Sequence, residues 1–345
     1  MSDSDVELVL VGDSYVQRPD PDSAFTHVAS YFRAADIAFC NLETVVADEK
    51  YLVAHNRRHG PRTDEWMFDA YLRAGFKVMN MANNPSMYQG LEGLLRTLDV
   101  LDKAGVAHSG AGRNLEEARR PAIVEAKGTK VAFVSRASVF AMTAPATAKR
   151  GGLAVVRVST AYEPPHRLPE MPGMPPIIHT YPDPEDVGAM QEDVQKAKKQ
   201  ADVVVVSWHW GVSPAGGGTG TLVGYQVEMG HAAVDAGADL IVGHHPHLIQ
   251  PIEVYKGKVI FYGIANLVHD LHNRWKNRQT IMARCRIRDR RIREVSFVPG
   301  RISAENQPSF MKPAEAPDVV KHTQDISNEF GTRFEVKEDE VLVVL

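Results

Sequence analysis

Residues 239–247 read DLIVGHHPH: a short apolar run closed by glycine, then three histidines within four positions. A continuous apolar run of that length fits a strand buried on both faces. Three imidazoles directly after such a strand are costly unless they are paired or bound to metal. Alternate residues of an extended segment share a face, which makes His245 and His247 the best ligand pair and turns His244 the other way, toward a supporting hydrogen bond.

The same design recurs outward along the chain. Residues 203–207 (VVVVS) run into Trp208-His209-Trp210-Gly211, and residues 7–11 (ELVLV) end at Gly12-Asp13. Residues 36–40 (DIAFC) are closed by Asn41-Leu42-Glu43, and residues 76–81 lead to Asn83-Asn84. Ligands of open α/β sheets bind outside the carboxyl ends of strands, so these loops are expected to converge on one cleft. Each residue has a plainer reading when taken singly. Asp13 and Asn84 suit turns, Glu43 suits a helix cap, and His209 suits a satisfied core position. Together, two carboxylates, an amide oxygen and several imidazoles form a mixed donor set suited to Zn, Mn or Fe.

Helical spacing is expected over 24–34, 64–74, 91–104, 185–200 and 225–236, with strands over 130–135, 252–255, 259–262, 281–286 and 292–298. Residues 164–184 are rich in proline and read as an extended surface loop. Residues 215–220 (AGGGTG) form a loop whose glycines lose much entropy on ordering. The tail, 311–345, holds a helix and a terminal strand over 341–345. Alternating strands and helices predict an α/β sandwich or layered sheet. One main domain over 1–300, carrying the Pro-rich insertion near 160–184, is followed by an extension, 301–345, that packs on it.

Composition narrows the function classes. The chain is 44% hydrophobic, enough for a sizeable core, with a formal charge of -4 and a pI near 6.4. It has no dense Lys/Arg run, which argues against nucleic-acid binding. The most basic stretch, 286–295, is interspersed with apolar and acidic residues and reads as the solvated face of a strand pair. Cys40 and Cys285 sit in or beside apolar runs and read as buried small hydrophobes. No positive leader precedes an apolar stretch, and no segment reaches the roughly 18 apolar residues of a membrane span. The expectation is a cytoplasmic protein without an anchor, acting on a small molecule or peptide.

These motifs resemble the bacterial capsule-synthesis (CapA, poly-γ-glutamate synthesis) family, a branch of the calcineurin-like metallophosphoesterase superfamily. The resemblance runs from about Val9 to His269. Its carriers are Gly12-Asp13, the segment 35–44 (ADIAFCNLET), Ala82-Asn83-Asn84, the segment 110–121 (GAGRNLEEARRP), Trp208-His209-Trp210-Gly211, and 235–239 through GHHPH to 250–255 (QPIEVY). It implies a four-layer α/β/β/α sandwich of the metallophosphoesterase type. It also implies a centre of two divalent ions (Mn, Zn or Fe) in which Asp13 and Glu43 are carboxylate ligands, one of them bridging. Asn84, His209, His245 and His247 would complete the shells. Such a pair of ions activates water and polarises a scissile group.

Two departures from the family's pattern matter. Its Asn-Asn-His motif reads Asn83-Asn84-Pro85 here, and proline has neither a titratable group nor an N–H with which to protonate a leaving group. After His209 the family's acidic-aromatic pair is replaced by Val212-Ser213-Pro214. The candidate catalytic residues are therefore His59, Arg62 and His244, with His55, Tyr15, Tyr88 and His269 also in the loops. The cationic run 57–62 suits a carboxylate or phosphate. Three readings follow: a hydrolase using metal-activated water on an ester, amide or phosphoester bond; an epimerase removing a proton next to a metal-polarised carbonyl; and a non-catalytic capsule-polymer assembly protein.

Overall fold

The computed structural model describes residues 5–51, 60–214, 218, 220–271 and 278–345. Two strands, Val6–Tyr15 and Val203–His209, are buried along their whole length. Alternation sorts their side chains into separate layers. Leu8 and Leu10 enter a cluster with Phe39, Phe133, Val205, Val242 and Phe261. Val9 and Val11 face the other way, into a cluster with Phe32, Phe68, Leu94 and Leu98. On the second strand Val204 and Val206 meet Met190, Val194, Met229 and Ala233. One apolar layer thus lies between two sheets, and each sheet carries helices on its outer face. Each fully buried Leu or Val in these layers contributes roughly 1.5–3 kcal/mol of burial free energy.

The first sheet runs in the order Phe334–Val336, Val341–Val343, Arg291–Ile302, Gln279–Arg288, Val6–Tyr15, Ile37–Leu42, Val78–Asn80, Ala107–Ser109. The second runs Ile252–Tyr255, Lys258–Phe261, Leu240–His244, Val203–His209, Thr129–Ala137, Ala122–Ala126. Helices Glu65–Ala74 and Gly90–Ala104 cover the first sheet, and Pro184–Lys198 and Gly224–Asp235 the second. This is the expected four-layer α/β/β/α sandwich. After residue 301 the chain adds helix Pro317–Ser327 and a strand, Val341–Val343, that pairs with Arg291–Ile302.

Some local expectations need correction. The helix expected over 24–34 is a 3-10 turn, Pro21–Phe25, followed by a short α-helix, Ala29–Ala34. The Pro-rich loop is shorter than expected, because Ile177–Pro182 pairs antiparallel with Val158–Glu163. Most of its prolines lie in the turn between those strands, where no ladder N–H is needed. The basic strand pair near 286 is neutralised, with Arg284 and Arg286 both reaching Glu340. Cys40 and Cys285 are buried, unbridged and in different apolar layers. Among the described residues no helix is long and apolar enough to cross a membrane.

Candidate metal centre

Strand Val6–Tyr15 changes partner where its chemistry begins. It pairs antiparallel with Gln279–Arg288 as far as Leu10, and from Asp13 onward it lies parallel to Asn266–His269. At the changeover the Asp13 N–H donates to the Ala265 carbonyl at 3.1 Å. A Cβ at Gly12 would overlap that same oxygen, so only glycine fits there. On the other side the register with Ile37–Leu42 shifts and sets Asp13 against Asn41. In the second sheet His209 lies in register with His244 across parallel strands.

These strand ends bring the donors together. Glu43, His209 and His245 offer ligand atoms that all lie within 4.8 Å of one another, and so do Glu43, His247 and His269. Glu43 therefore belongs to both groups. Its Oε1 is 3.6 Å from His209 Nε2 and 3.7 Å from His247 Nε2, and its Oε2 is 3.7 Å from His269 Nε2. Asp13 Oδ2 lies 3.2 Å from His247 Nδ1 and accepts from the His245 N–H at 3.1 Å. Asn84 Oδ1 is 2.6 Å from His209 Nε2.

A chain of side-chain amides braces the oxygen donors. Asn41 donates to Asp13 Oδ1 at 2.6 Å, Asn80 donates to Asn41 Oδ1 at 2.8 Å, and Asn83 donates to the same oxygen at 3.1 Å. His247 Nδ1 lies 2.7 Å from Asn266 Oδ1. The histidine run is bent rather than extended, with φ of 94° at His245 and 58° at His247. Left-handed backbone disfavours residues with a Cβ, so this loop holds local strain.

Burial and charge set the protonation pattern. Burial alone would raise the Asp13 carboxyl, but the hydrogen bond and charge of His247, with His244 and His209 behind them, hold it below the ordinary carboxylate range. Burial raises Glu43 well above its usual value, and the charge of Asp13 adds to this against the pull of His247. His247 is the exception among the imidazoles. Burial opposes its charge, yet Glu43, Asp13 and Asn266 push it up to about 9. Burial holds His244 down to about 4, and burial with the charge of His247 holds His245 down to about 3. His209 is lowered as well, by burial and then by His245. Neutral imidazole is the form that binds cations.

The remaining sequence candidates fall differently. His59, with His55, lies outside the described residues. Arg62 pairs with Asp64 and donates to the Ala47 carbonyl at 3.1 Å, so its guanidinium already has partners. His244 is buried 3.7 Å from Asp13 Oδ1, against the ring of Phe39. Neither of its ring nitrogens has a hydrogen-bond partner among the described residues, so it stands behind Asp13 without the supporting hydrogen bond expected for it. Pro85 is buried in the 3-10 turn Asn84–Met87. His269 enters a ligand group, although the sequence offered it only as a loop candidate. Its signal was its place three residues after Asn266.

The donor set fits divalent cations. Its atoms are carboxylate and amide oxygens and imidazole nitrogens, and Glu43 Oε2 and His245 Nδ1 are buried with no hydrogen-bond partner among the described residues. The fold and site define a class: a four-layer α/β/β/α protein with a cluster at its strand ends that could hold divalent cations. Within that class, residues 7–271 match the bacterial capsule synthesis protein family PGA_cap, and the chain belongs to that family. The resemblance read from the sequence is thus the family found.

The chain is 32% identical over 277 residues to the PGA biosynthesis protein CapA of Bacillus subtilis, covering 78% of this chain and 64% of that protein. It is 30% identical over 284 residues to the capsule biosynthesis protein CapA of Bacillus anthracis, covering 76% and 59%. It therefore spans less than two thirds of the length of either relative. Among solved structures it is similar to a Thermus thermophilus sulfate thiohydrolase, SoxB, at 12% identity and a TM-score of 0.44, over 85% of this chain and 43% of that one.

Proposed function

We propose that this chain is a metal-dependent hydrolase cleaving an ester, amide or phosphoester bond of a small molecule or peptide. The observation that supports it most is Glu43, whose one carboxylate faces His209, His247 and His269 from the middle of the cluster. Asp13, Glu43, Asn84, His209, His245, His247 and His269 would hold the cations. Bound divalent ions supply a nucleophile at neutral pH and a Lewis acid for the scissile group.

The chain's own residues prepare that site. Asn41 fixes the Asp13 carboxylate, and Asn266 together with Asp13 orients the His247 ring, so both stand in place before substrate arrives. Pro85 contributes no proton, so the bond cleaved is one whose leaving group departs without the family's histidine. The names of two relatives refer to PGA and capsule biosynthesis, which makes short γ-linked glutamate peptides the first substrates to try.

The test is product release from p-nitrophenyl phosphate, a p-nitrophenyl ester and γ-glutamyl peptides by protein loaded with Mn, Zn or Fe. Cleavage that disappears in Glu43→Gln supports the reading. Failure of every loaded form on every substrate class removes it. Pro85 also favours a second reading, an epimerase, for which losing a leaving-group acid costs little. Incubation in heavy water would then place deuterium at the substrate α-carbon without releasing two products.

A further inference from the structure

We infer that Tyr88 is a positioning residue for Asn84, holding the plane of its amide so that the carbonyl oxygen faces the cation site. The inference rests on the metal-dependent reading above. Only the oxygen of a carboxamide can ligate a cation, because the NH2 end is purely a donor. Here the two ends are divided: Oδ1 lies 2.6 Å from His209 Nε2, and Nδ2 donates to the Tyr88 hydroxyl at 2.5 Å. A donor bond from Nδ2 also polarises the amide and places more negative charge on its oxygen.

The backbone ties the two residues together. Asn83 caps the 3-10 turn Asn84–Met87 by accepting from the Ser86 N–H at 3.2 Å. Pro85 sits at the start of that turn, and the Tyr88 N–H donates to the Pro85 carbonyl at 2.9 Å. Proline fixes its own φ, so the residue that removed the family's imidazole also stiffens the turn carrying both ends of the Asn84–Tyr88 bond. A Cβ at Gly60 would press into the Tyr88 ring, so Gly60 packs directly on it. The plainer alternative is a half-buried tyrosine that packs on the turn and whose hydroxyl does nothing for the site.

Tyr88→Phe keeps the ring and removes the hydroxyl. Mn2+ is titrated by calorimetry into metal-free wild type, Tyr88→Phe, Asn84→Ala and the double variant, and the visible spectrum of each Co2+-loaded protein is recorded. The expected result is about tenfold weaker Mn2+ binding in Tyr88→Phe, the low end of what orienting partners of metal ligands contribute. Shifted Co2+ bands and a metal-free Tm within about 2 °C of wild type, much less than a lost core contact would cost, are also expected. Tyr88→Phe should add nothing once Asn84 is alanine. Tyr88→His, which restores an acceptor, should recover part of the affinity and covers the case of a misfolded Tyr88→Phe. Unchanged Mn2+ binding and Co2+ bands in Tyr88→Phe overturn the proposal, as does an equal loss with and without Asn84. A wild type that binds neither ion overturns the metal reading itself, a separate outcome.

Discussion

On the first sheet Asp13, Asn41, Asn80 and Asn83 close a chain of hydrogen bonds between neighbouring strand ends. On the second, the buried His244 and half-buried His245 have buried ring nitrogens left over, and the loop through His245 and His247 twists into positive φ. One half of the site supplies mainly oxygens, and amides brace its Asp13 carboxylate while Glu43 Oε2 is left over. The other supplies nitrogens and carries strain and unmet polar atoms. The contrast shows where a cation matters to the fold. On the proposed metal reading, the Asp13 side is pre-organised without a cation, whereas the histidine loop would be stabilised chiefly by binding one.

Glu43 joins the halves, so Glu43→Gln should have the largest effect: at least a 100-fold loss of divalent-metal affinity, on the order expected from losing a direct ligand and not merely its support, measured by titration calorimetry. If the two halves bind independently of Glu43, the loss will be far smaller.

Asp13→Ala and His245→Gly should then differ in sign. Removing the Asp13 carboxylate leaves Asn41, the His245 N–H and His247 without their acceptor, and should destabilise the metal-free protein by about 3–5 kcal/mol in urea unfolding. His245→Gly removes a ligand but relieves a φ of 94°, so the metal-free protein should gain up to about 1 kcal/mol while binding metal worse. Equal destabilisation by the two changes would break the contrast.

The smallest effect is in pH dependence. His244 and His245 are held down to about 4 and about 3 by burial, below the ordinary histidine value of 6.5. The unfolded chain takes up their protons first, so this contribution to stability is full above about 6.5 and is lost as pH falls toward the folded values. Metal-free protein should therefore lose Tm between pH 6.5 and 4, and His244→Leu should make that slope shallower. His247 has the opposite sign. Its folded value near 9 lies above the ordinary one, so its contribution is full below about 6.5 and is lost as pH rises through 9.

Much of this was legible in the sequence because it is written in local runs. The four valines at 203–206 and the apolar stretch before GHHPH announce strands buried on both faces, and polar residues just beyond them mark the site. The strand Asn266–His269 was not legible. It is short, and its pairing with Asp13–Tyr15 joins residues from opposite ends of the chain, which leaves no periodicity to read. The ribbon within 158–182 was missed in part for a similar reason, since the prolines hide a pairing that depends on cross-strand partners. The positive φ values at His245 and His247 are hidden too, because nothing in the GHHPH run marks where the alternation of an extended strand stops. The sequence reading also gave His244 a hydrogen bond that its buried position beside Phe39 does not provide.

The most direct measurement is the divalent-metal content per chain, by elemental analysis, of wild type and Glu43→Gln after reconstitution with Mn or Zn and removal of free ion. The proposed centre, with Glu43 shared by two histidine groups, predicts about two equivalents in wild type and less than about half an equivalent in the variant. A wild type holding less than about half an equivalent, or a variant that retains the wild-type content, contradicts it.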